Sequence, residues 1–63
     1  MNFRLRSKIY AQFPTQSDFA KAVKIHESRL SRIVRGRENP TNDEVRRISE
    51  VLQSEPGRLF SNE

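Results

Sequence analysis

This sequence predicts an all-α domain of five short helices. Three observations carry that prediction. Apolar residues recur at three- and four-residue spacing, helix-start residues precede most of those runs, and no stretch alternates apolar and polar residues as a strand does. The 63 residues make a single domain, 1–63. A chain this short hides only roughly 60% of the surface that its unfolded form exposes, so its own stability is modest.

The first helix rests on Leu5, Ile9 and Phe13, which share one face. Asn2 caps its start, and Pro14 ends it by disfavouring helical geometry in the residue before. Phe3 and Tyr10 are expected at the edge of the core. Thr15, with Asp18 three residues on, resembles a capping box and opens the second helix. That helix buries Phe19, Ala20 and Val23 and stops near Lys24, leaving Ile25 as the apolar residue of the turn. His26 or Ser28 caps the third helix, and Glu27 suits the positive end of its dipole. Leu30, Ile33 and Val34 form the inner face, Gly36 is the stop, and Glu27, Ser28, Arg29, Ser31, Arg32 and Arg35 face outward. After a loop through Pro40, Thr41 and Glu44 repeat the capping-box spacing. They open a fourth helix with Val45, Ile48, Val51 and Leu52 inward. Ser54 and Pro56 begin a last short turn that holds Leu59 and Phe60.

Charge is concentrated on the third helix. Between Lys24 and Arg37 there are five basic residues (Lys24, Arg29, Arg32, Arg35, Arg37) and one acidic residue, Glu27. The remainder holds seven of each, so the net charge of +4 falls within this stretch. Acidic partners at helical spacing are scarce there. A charge focused on one short helix is a docking surface for a polyanion, here a DNA duplex.

Other classes find little support. There is no cysteine and a single histidine, His26, so neither a disulfide framework nor a metal site is expected, and no cofactor. No apolar run exceeds three residues, which excludes a membrane span. The N-terminal segment lacks the apolar core of a signal peptide, so a cytoplasmic location is expected. Nothing forms a paired-carboxylate cleft, a nucleophile–base arrangement or a phosphate-binding glycine loop, so the chain is not expected to be an enzyme.

Gln16 opens the second helix, and Ala20 is small at the fifth position of that unit. Phe19, Val23, Ile25, Leu30 and Ile33 are apolar at the fourth, eighth, tenth, fifteenth and eighteenth. Arg35-Gly36-Arg37 then leads to Pro40. This pattern resembles the lambda-repressor-like (Cro/C1, XRE) family, whose helix-turn-helix unit corresponds to about residues 16–35. The likeness runs over about residues 5–60. Two positions depart from the family. Lys24 stands where glycine is usual and must turn left-handed, and Val34 stands where glutamate is common.

The resemblance implies a compact five-helix lambda-repressor-like domain, with the helix-turn-helix formed by helices 2 and 3. It also implies a role for each matching residue. Glu27, Ser28 and Arg32 face base edges in the major groove. Arg32 forks onto guanine O6 and N7, and Glu27 accepts from cytosine N4. Arg29 is a fourth reader or a phosphate contact. Gln16 donates to a phosphate and braces the recognition helix, while Arg35, Arg37 and Asn39 lie along the backbone. Glu27 has a plainer role as a first-turn acid, and Gln16 as a good helix former.

The expected function is that of a phage-like, sequence-specific regulator, a repressor that binds double-stranded DNA at a near-palindromic operator. A homodimer on DNA would use Pro56, Leu59 and Phe60 as its interface. The alternative is an antitoxin or other protein-interaction module of the same fold, marked by an exposed apolar patch around Leu59 and Phe60.

Overall fold

Each of the first four helices begins where a side chain reaches back into the first turn. The computed structural model describes residues 1–60. Its helices are α1 (Phe3–Gln12), α2 (Gln16–Val23), α3 (Glu27–Val34), α4 (Asn42–Leu52) and α5 (Pro56–Leu59). Asn2 accepts from the Leu5 amide at 3.0 Å, and Thr15 from Asp18 at 3.1 Å. His26, rather than Ser28, caps α3, with Nδ1 accepting from the Ser28 amide at 3.3 Å. Thr41 and Glu44 form a full capping box, since the Glu44 carboxylate also accepts from the Thr41 amide at 2.8 Å. Thr15 and Asp18 form half of one: the Thr15 hydroxyl donates to the Asp18 carboxylate at 3.0 Å instead. Ser54 does not open α5. Its hydroxyl donates to the Leu52 carbonyl at 3.3 Å, and Glu55 precedes α5 as its cap, with Pro56 in the first helical position.

Three helices end in the same left-handed closure. After α2, Lys24 has φ 58° and the Ile25 amide donates to the Ala20 carbonyl at 3.1 Å. After α3, Gly36 has φ 78° and the Arg37 amide donates to Arg32 at 2.9 Å. After α4, Gln53 has φ 53° and the Ser54 amide donates to Ser49 at 3.1 Å. Each bond satisfies a carbonyl that the helix end leaves without a partner. Lys24 therefore takes the conformation its place demands, at a steric cost that glycine would not incur. Gln53 does the same at a position where no glycine or asparagine gives notice.

The helices surround one core of Leu5, Ile9, Phe19, Ala20, Val23, Ile25, Leu30, Ile33, Val34, Ile48, Leu52 and Leu59. Val34, where the family often carries glutamate, is thus buried among aliphatic neighbours. Phe13 packs edge-on against Phe19, with ring centroids 5.2 Å apart. Asn2 ties the N-terminus down twice: its amide donates to Val34 O at 2.8 Å and its side chain to Leu59 O at 2.6 Å. Arg47 does the same for the helix-turn-helix turn. One of its terminal nitrogens donates to the Val23 and Lys24 carbonyls at 3.0 and 2.9 Å.

Two expectations are corrected. Leu59 is 1% exposed and belongs to the core, so it offers a dimer no surface. Of the three expected interface residues only Pro56 is exposed, with Phe60 half-buried against the core. Phe3 and Tyr10 do not pack at the core edge; they are 67% and 48% exposed. The helical repeat explains both, because Phe3 lies about 200° round α1 from Leu5 and Tyr10 about 100° from Ile9. Among the described residues, no helix is long and apolar enough to cross a membrane.

Candidate nucleic-acid interface

Helix α3 divides into two faces because its apolar residues fall at helical spacing. Leu30, Ile33 and Val34 are buried, whereas Glu27, Ser28, Arg32 and Arg35 are exposed. Ser28, Arg32 and Arg35 follow one another at i, i+4 and i+7 and so stack along one row of the surface. At the start of that row the Ser28 hydroxyl lies 2.9 Å from His26 Nδ1, which couples it to the cap. Gln16 sits half-buried at the first position of α2, directly after Thr15. Arg37 and Asn39 are exposed on the loop between α3 and α4.

Arg29, expected among the base readers, faces the fold instead. Its guanidinium donates to both oxygens of Glu44 at 2.9 and 3.2 Å, to the Asn39 carbonyl at 3.2 Å, and to Glu38. Those groups occupy its donors and join the middle of α3 to the following loop and the first turn of α4. The hydrogen bonds that Arg29 donates to Glu44 and, second, to Glu38 push its pKa up. In return Arg29, helped by the Thr41 amide, holds the Glu44 carboxyl down to about 2. Glu38 is shared. One oxygen pairs with Arg29, and the other lies 3.0 Å from Arg32 Nε. Arg32 is the larger influence that lowers the Glu38 pKa.

Charge is therefore distributed differently in space than along the chain. Arg29 and Arg32 do have carboxylate partners, but these come from the loop and from α4. Helix α4 adds its own pairs, Arg46 with Asp43 and Glu50, and Arg47 with Asp43. Lys24, Arg35 and Arg37 form no ion pair among the described residues, and neither do Arg4, Arg6, Lys8 and Arg58. Arg6 lies instead over the Tyr10 ring, 5.4 Å from its centroid. Residues 1–17 hold three basic residues and no acidic one, while residues 38–63 hold three basic and six acidic. The two segments cancel in the sum, which hid a second cationic surface on α1.

Of the expected site residues, Arg29 and Arg32 meet through Glu38 and the Asn39 carbonyl accepts from Arg29, while Glu27, Ser28 and Arg35 share the exposed face of α3. Glu38, Glu44 and Arg47 do the positioning, and sequence reasoning missed that role in all three. Glu44 was legible as a capping residue. Nothing along the chain pointed it at Arg29, fifteen residues away.

The helix-turn-helix family model HTH_3 matches residues 15–59. Searches of curated proteins and of solved structures gave no significant match. The matched span contains α2 to α5 and every residue of the α3 surface. A DNA-binding domain is what that match implies, and the capped, two-faced α3 has the form such a domain requires. The chain belongs to the HTH_3 family of helix-turn-helix domains, of the Cro/C1 (XRE) type.

Proposed function

We propose that this chain is a sequence-specific transcriptional regulator, a phage-like repressor that binds a near-palindromic operator as a homodimer. One observation carries the reading. The α3 face turned away from the core is a row of polar and cationic side chains on a helix fixed at both ends. Such a helix fits the major groove, about 12 Å wide, with its N-terminal residues toward base edges. Glu27, Ser28 and Arg32 read bases. Gln16, Arg35, Arg37 and Asn39 hold phosphates, and Arg29 is left to brace the loop. Two copies place their α3 helices about 34 Å apart on successive major grooves. Repression follows from occupying a promoter.

Selection of bound sites from a random duplex pool at physiological salt tests this directly. An enriched inverted repeat with half-sites about one helical turn apart supports a dimeric reader. Binding that merely fades with salt, without enrichment, refutes it. On the enriched operator, Arg32→Ala costs about 1–3 kcal/mol and relaxes preference at one base pair. A protein-interaction role, such as that of an antitoxin, is favoured by a separate observation: Phe3 and Tyr10 are exposed on α1, outside the matched span. Absence of an enriched site would make that reading the leading one.

A further inference from the structure

We infer that Glu38 is a positioning residue that aims Arg32 at its base. The inference rests on the base-reading role proposed for Arg32 and names what would set its geometry.

Gly36 turns the chain back over the end of α3, so that the Arg37 and Glu38 amides both donate to the Arg32 carbonyl, at 2.9 and 3.3 Å. Glu38 is thus fixed by backbone to the very residue its side chain contacts. Its carboxylate is fixed a second time by Arg29, which Glu44 in turn anchors to the capping box of α4. A chain of charged contacts therefore runs from the start of α4 through Glu44, Arg29 and Glu38 to Arg32. At its end, Glu38 holds the Nε of Arg32 at 3.0 Å. That closest approach through Nε restrains the long side chain, and its two terminal nitrogens donate no hydrogen bond among the described residues. Those nitrogens form the end-on fork that matches guanine O6 and N7. A side chain already restrained loses less freedom when it binds.

A carboxylate near DNA also repels phosphate, so removing it has two separable effects. The full chain carrying Glu38→Ala, and separately Glu38→Gln, is titrated against three duplexes. These are the operator enriched by the wild type, the same operator with the base pair facing Arg32 exchanged, and a random duplex. Thermal melts confirm that each variant is folded. Both variants are expected to bind the random duplex more tightly, through the lost negative charge. Their discrimination between the two operators falls by about 2- to 12-fold, the fold-change equivalent of freezing one long side chain. A merely structural Glu38 would weaken all three duplexes alike and leave that ratio unmoved. General tightening at constant ratio makes Glu38 only a source of repulsion. A rise in both operator affinity and ratio makes it a competitor that holds Arg32 away from DNA. Any of these three overturns the inference. Arg32→Ala run alongside separates the failures, because equal losses on every duplex refute the base-reading role itself.

Discussion

Glu44→Gln is the perturbation whose consequences are best defined. The Glu44 side chain is 12% exposed and accepts from Arg29 through both oxygens and from the Thr41 amide. Glutamine keeps one acceptor for the Thr41 amide and loses the charge and the paired geometry toward Arg29. The carboxyl sits at about 2, against an ordinary value of 4.5. At about 1.4 kcal/mol per pH unit, that displacement carries at most about 3.5 kcal/mol. Solvent still reaches the pair, and screening lowers the figure to about 1–2 kcal/mol. Because the folded-state value is depressed, this stabilisation is fully present above pH 4.5 and is lost as pH falls from there through about 2. Thermal unfolding followed by far-ultraviolet circular dichroism should therefore show a Tm about 4–16 °C lower for the variant at pH 7. The gap should narrow steadily between pH 4.5 and 2, where the wild type protonates the same carboxyl. Glu38 and Asp43 are also held below their ordinary values by arginines, so the variant keeps a shallower acid slope of its own. Parallel curves for the two proteins across that window, or equal Tm at pH 7, would refute the reasoning.

Three further outcomes follow from particular residues. Lys24→Gly relieves a left-handed lysine worth about 1–2 kcal/mol, less about 0.5–1 for the freedom glycine adds to the unfolded chain. A Tm increase of up to about 12 °C is expected, and a decrease would show that the turn is not strained. Leu59→Ala should cost about 2–5 kcal/mol as a core deletion, whereas Pro56→Ala on the surface stays within about 0.5; a stable Leu59→Ala monomer would return Leu59 to the interface. Arg37→Ala, which breaks no ion pair among the described residues, should weaken binding to all duplexes alike and lower the salt slope by about one. Fluorescence anisotropy across a salt series measures both.

The helices of this protein were legible because their determinants are local. Asn2, Thr15 and Thr41 each bond an amide three residues away, and the left-handed closures at Lys24 and Gly36 span five. Apolar spacing likewise placed Leu5, Ile9, Phe19, Leu30, Ile33, Ile48 and Leu52 in the core. The outward row of α3 follows from the same periodicity, so that surface could be read from the chain alone. Only the tertiary structure decided how Arg29 differs from Arg32. Both are arginines on the outer side of one helix, yet Arg29 reaches Glu44 across fifteen residues and Arg32 meets Glu38 most closely through Nε. It also decided that Arg47 clamps the Val23 and Lys24 carbonyls from α4, and that Leu59 closes the core instead of presenting a surface. Local rules fix where a helix starts, stops and turns its apolar side. Which charge meets which depends on how the helices cross, and that is set by the packing of all five together.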